Sequence, residues 1–108
     1  MRKITEAEAK KMMDDGNPYI LVDVRNKDEY EEERIEGSVL IPLDVIEERA
    51  KSELGDKSAR ILVHCRSGKR SEAAAKILDE LGYSDVNSFG GIENWTYGTI
   101  RGKTPTGA

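Results

Sequence analysis

Two short, almost continuous apolar runs, Tyr19-Ile20-Leu21-Val22-Asp23-Val24 and Ile61-Leu62-Val63-His64, constrain the fold of this chain more than any other feature. Apolar residues at successive strand positions point to both faces of a sheet, so both faces have to be covered. Helices supply that cover, and helical patterns flank each run. Thr5 and Glu8 have capping-box spacing ahead of Met12 and Met13, with an end near Asp15-Gly16 and a break at Asn17-Pro18. Lys27 to Arg34 reads as a short solvated helix, and Val39-Leu40-Ile41 as a strand stopped by Pro42. Asp44 with Glu47 opens a helix whose stripe is Val45, Ile46, Ala50 and Leu54, ended by Gly55. Ala74, Ile77, Leu78 and Leu81 repeat at helical spacing before Gly82. Val86 to Phe89 is a last short strand, followed by Gly90-Gly91 and a turn or helix carrying Trp95. This alternation predicts an α/β domain with a mostly parallel sheet and right-handed crossovers. Ligands of such sheets bind beyond the carboxyl ends of the strands. Cys65 stands at such an end.

The 108 residues suit one domain spanning 1–108, with the Gly- and Thr-rich stretch from about 99 to 108 on the surface or frayed. No apolar stretch approaches the roughly 20 residues of a membrane span, and no apolar segment follows the basic N-terminus as a secretory signal would require. A single cysteine excludes an internal disulfide and fits a reducing compartment, for which the cytoplasm is the simplest expectation. Net charge of -4, with no basic stripe outside one loop, argues against a nucleic-acid partner. No group of His, Cys and carboxylates has metal-ligand spacing, so neither metal nor cofactor is expected.

That loop is Cys65-Arg66-Ser67-Gly68-Lys69-Arg70. A strand that stops, a loop containing glycine and a helix that starts leave several N–H groups facing one concavity, where the helix dipole favours negative charge. Arg66, Lys69 and Arg70 add positive charge in an acidic chain, and such surroundings lower a thiol pKa. An inert cysteine would sit within the apolar run, whereas Cys65 closes it. The pattern points to a reactive thiolate and an anionic substrate. His64 is adjacent, but successive strand side chains face opposite ways, which gives it a packing or hydrogen-bonding role. Asp23 and Arg25 are expected to tie loops together, Ser71 to cap the helix, and Trp95 and Tyr97 to pack the C-terminal segment.

The loop Cys65 to Arg70, Asp23-Val24-Arg25 with Tyr30, Ile35-Glu36-Gly37-Ser38 before Ile41-Pro42, and Gly90-Gly91 with Trp95 together resemble a single-domain rhodanese, in the family's order from about Thr5 to Trp95. The resemblance implies a rhodanese-like fold, a mostly parallel five-stranded sheet with helices on both faces. It also implies a sulfurtransferase in which Cys65 takes a sulfane sulfur from thiosulfate or a similar small anionic donor and holds it as a persulfide. The acceptor would be cyanide in an assay and a thiol or sulfur-relay protein in the cell. Arg66, Ser67, Gly68, Lys69 and Arg70 would bind the substrate, with Arg70 orienting the anion and fixing the loop. Many relatives carry histidine where this chain has Arg34. Phosphatases and arsenate reductases of the same fold resemble it with a C-x5-R loop, one residue longer than the C-x4-R of Cys65 to Arg70. The rival class is an interaction module, since rhodanese-like domains without the cysteine serve that role; a persulfide carrier with little turnover lies between the two.

Overall fold

In the computed structural model residues 1–103 are described, and the last part of the stretch expected to lie on the surface falls outside them. Five strands, β1 (Arg2–Ile4), β2 (Ile20–Asp23), β3 (Val39–Leu40), β4 (Arg60–Cys65) and β5 (Asp85–Gly91), form one sheet in the order β1-β5-β4-β2-β3. Every neighbouring pair is parallel. The two apolar runs lie side by side, Leu21 against Leu62 and Val22 against Val63. Four helices accompany them: α1 (Glu6–Asp14), α2 (Lys27–Glu32), α3 (Ile46–Glu53) and α4 (Lys69–Glu80).

The alternation of side chains sorts the runs into two cores. Val22, Ile61, Val63 and Cys65 face α3 and α4 through Ile46, Ala50, Ala74 and Leu78. Leu21, Leu62 and Phe89 face α1 through Ala9, with Met12, Met13 and Trp95 packed around them. Burying a side chain such as Leu62 contributes about 2–3 kcal/mol, and the polar members of the runs, Asp23 and His64, come only at the carboxyl ends of the strands, where both are fully buried.

Several boundaries differ from the pattern: β5 runs on through Gly90 and Gly91, β3 ends at Leu40, and three further differences have an identifiable cause. Arg2–Ile4 is a strand although only Ile4 is apolar, because an edge strand needs backbone pairing on one side alone; it pairs with Asn87–Phe89, and Arg2 reaches Asp85 at 2.7 Å. Helix α2 stops at Glu32 because Arg34 leaves to pair antiparallel with Ile100. Arg34 Nη1 donates to the carbonyls of Tyr30 and Gly102, and its guanidinium lies over the Tyr30 ring. The described end of the chain is therefore pinned. Finally, a 3₁₀ turn at Leu43–Val45 precedes α3, since the preceding Pro42 sets an extended entry.

Candidate active site

Cys65 is the last residue of β4, next to the one irregularity in its pairing with β5. Val63 pairs with Ser88, but Cys65 pairs with Gly91, so β5 carries an extra residue in that interval. This bulge brings the Gly90 carbonyl to 3.8 Å from Cys65 Sγ. Gly91 packs directly on the end of β4. A Cβ there would stand 2.0 Å from the Cys65 carbonyl oxygen, so only glycine fits. The Glu93 N–H then donates to the Arg66 carbonyl at 3.1 Å, which ties down the start of the loop.

The loop curls back so that the Gly68 N–H donates to Sγ at 3.0 Å. Gly68 has φ of 121°, open to glycine and strained for other residues, and it leads into α4. Ser71 Oγ lies 3.7 Å from Sγ; it donates to the Gly68 carbonyl and accepts from Ser88 Oγ at 3.1 Å. Burial pushes the Cys65 thiol pKa up. Hydrogen bonds to the thiolate from the N–H of Ser71, from its hydroxyl once that proton turns from the Gly68 carbonyl to sulfur, and from the N–H groups of Gly68 and Ser67 outweigh it, and the net shift is downward. The amide concavity read from the sequence is thus present, and its neutral donors act directly on the sulfur.

Of the three cations, Arg70 keeps a charge interaction with the Cys65 thiolate without touching the sulfur, and none of them hydrogen-bonds it among the described residues. Arg70 forms a bidentate pair with Glu29 of α2, at 2.7 and 3.0 Å. Glu29 also accepts from the Asn26 N–H, closing the cap of α2, so one carboxylate fastens α4 to α2. The Arg70 hydrogen bonds, working against burial and aided by Asn26, hold the Glu29 carboxyl down at about 2. Arg66 and Lys69 are exposed and have no ion-pair partner among the described residues. Arg66 opens on a cleft of about 460 Å³ shared with Arg25, Glu29, Glu93 and Trp95. Lys69 lines a separate hollow with Ser67, Gly68, Lys3 and Glu72.

Supporting residues complete the frame. Asp23 and Arg25 form a buried fork, with Arg25 also donating to the Glu33 carbonyl, so the pair ties β2 to the end of α2. Phe89, Trp95 and Tyr97 meet in sequence, the first pair tilted and the second edge to face, and pack the C-terminal segment. Ser71 does not cap α4 as expected, because Gly68 is the N-cap and takes no side-chain bond; its hydroxyl instead donates to the Gly68 carbonyl and faces the thiol. Glu29 and Ser88 were not legible as site residues: the Asn26-x-x-Glu29 spacing signals a helix cap, and nothing local connects it to Arg70.

Fold and site together define an α/β protein whose single thiol is cradled by amides at the carboxyl edge of a parallel sheet. The chain belongs to the rhodanese-like domain family, whose model matches residues 5–97. It is 33% identical over 81 residues to thiosulfate sulfurtransferase PspE of Escherichia coli, covering 75% of this chain and 78% of that one. To the putative sulfur carrier protein YrkF of Bacillus subtilis it is 39% identical over 88 residues, covering 81% of this chain and 46% of the relative. A solved rhodanese with anions from E. coli superposes with a TM-score of 0.74 at 32% identity, over 79% of this chain and all of the other.

Proposed function

We propose that this protein is a sulfurtransferase that moves sulfane sulfur from thiosulfate or a similar anion through a persulfide on Cys65. The observation that carries the reading is the Sγ atom held under the Gly68 N–H, with Ser71 beside it, at the mouth of the sheet. The thiolate attacks the outer sulfur of thiosulfate. The S–S bond of the donor breaks, sulfite leaves with its electron pair, and Cys65 keeps the transferred atom as a persulfide anion. The donors that lower the thiol pKa then stabilise the terminal sulfur as an oxyanion hole stabilises oxygen.

An acceptor thiolate, or cyanide in an assay, attacks the terminal sulfur and releases the Cys65 thiolate. Resemblance to a relative named as a putative sulfur carrier supports a thiol or a sulfur-relay protein as the cellular acceptor. Exposed Arg66 and Lys69 raise the local concentration of an anionic donor without touching the sulfur. The absence of a second cysteine suits work in the reducing cytoplasm.

Mass spectrometry after incubation with thiosulfate tests the proposal. One added sulfur atom on Cys65, lost together with thiocyanate formation in Cys65→Ser, is the expected result. An unchanged mass in fully reduced protein across several sulfane donors would sink it in favour of an interaction module. Rapid loading with slow turnover to small thiols would identify a carrier for a dedicated partner.

A further inference from the structure

His64 has no part in the chemistry above, yet it is completely enclosed one residue from the nucleophile. Its ring stacks on Phe89 with 5.3 Å between centroids. Nδ1 lies 3.1 Å from the Cys65 carbonyl oxygen. A carbonyl oxygen only accepts, so this bond places the proton on Nδ1. Nε2 then carries a lone pair and has no hydrogen-bond partner among the described residues. Asp23 Oδ2 stands 3.7 Å away, beyond hydrogen-bond range, and both oxygens of that carboxylate already accept from Arg25. A buried ring nitrogen without a partner is destabilising, and phenylalanine would fill the same space without that penalty. Packing alone does not account for an imidazole here; the bond from Nδ1 does.

That bond acts on the peptide where the loop begins. Gly91 confines the Cys65 carbonyl from the side of β5, and His64 holds it through the ring. Fixing this carbonyl fixes the ψ angle of Cys65, hence the direction in which Arg66, Ser67 and Gly68 leave the strand. We propose that His64 is a positioning residue for the Cys65 thiolate: its Nδ1–H holds the Cys65 carbonyl and thereby keeps the Gly68 N–H on Sγ. The role rests on Cys65 being the nucleophile.

The chain has one histidine, so nitrogen-15 NMR of the imidazole reports its tautomer without ambiguity. The Nδ1–H form at about pH 8 is expected, and the Nε2–H form would overturn the proposal whether or not any variant folds. A second arm follows thiol ionisation through iodoacetamide alkylation across pH in wild type, His64→Phe and His64→Asn. Phenylalanine keeps the ring volume and removes the donor; asparagine puts an N–H near the position of Nδ1. His64→Phe should raise the thiol pKa enough to slow alkylation near neutral pH about three- to tenfold. His64→Asn should recover most of that loss. A wild-type profile in folded His64→Phe, or equal losses in both variants, refutes the role. These readouts need no sulfur donor, so they stand apart from the test of sulfur transfer.

Discussion

Replacing Glu29 by glutamine removes the charge that holds Arg70 while leaving the shape of the side chain nearly unchanged. In the folded protein the Glu29 carboxyl is held down at about 2, from an ordinary value of 4.5. Each pH unit between those values corresponds to about 1.4 kcal/mol, so the pair and its cap could contribute at most about 3.5 kcal/mol. The two side chains are 33% and 30% exposed, and solvent screening brings the expected loss to about 1–2 kcal/mol. The pH dependence has a fixed sign. Because the folded value lies below the unfolded one, the stabilisation is complete above about pH 5 and fades as the pH falls through 4.5 toward 2; by about pH 3 less than half remains. Urea unfolding followed by the fluorescence of Trp95, the sole tryptophan, gives the difference between wild type and Glu29→Gln at each pH. A difference that is absent at neutral pH, or undiminished at pH 3, would refute the reasoning.

Gly91→Ala places a methyl group 2.0 Å from one backbone atom of Cys65 and 2.6 Å from another, and should lose more than about 3 kcal/mol in unfolding experiments. Gly98→Ala, with nothing within 4 Å but a φ of 103°, should lose only about 1 kcal/mol. Ser71→Ala should raise the Cys65 pKa and slow alkylation near neutral pH several-fold, whereas Arg66→Ala and Lys69→Ala should leave that profile nearly unchanged and weaken thiosulfate use in a salt-dependent manner. An equal shift of thiol ionisation in the Arg66 variant would return the cations to the cradle. Aryl phosphate hydrolysis should be negligible where sulfur transfer is readily measured, because the four residues between Cys65 and Arg70 leave too tight a ring for a phosphoryl group; phosphatase turnover that disappears in Cys65→Ser would show loop length to be the wrong criterion.

The sheet was readable because doubly apolar strands such as Ile61–Val63 admit few environments, and α1 because Thr5 and Glu8 form the capping box their spacing announces. Strand β1 escaped because edge pairing is a property of the backbone and of a partner far along the chain. The site divides in the same way. The position of Cys65, the glycine that lets the loop curl and the donors at the start of α4 are local, and the sequence displays them. The capture of Arg70 by Glu29 and the closure of Cys65 against Gly91 depend on crossovers of 41 and 26 residues, which periodicity does not encode. The loop cations divide for the same reason: Arg66, Lys69 and Arg70 are neighbours in sequence but turn to a cleft, a hollow and a carboxylate, and of the three it is Arg70 that keeps a charge interaction with Cys65.

Cys65 is only 1% exposed. A disulfide between two copies requires their sulfur atoms to meet at about 2.05 Å with the two Cα atoms no more than about 7 Å apart, and an enclosed strand end cannot offer that approach to its twin. The empty enzyme should therefore withstand air without cross-linking. In the proposed cycle, loading extends the side chain by one further sulfur, about 2 Å beyond Sγ. Concealment then becomes a form of timing: the thiol is sheltered while it has nothing to give, and the cargo itself lengthens the arm that presents it.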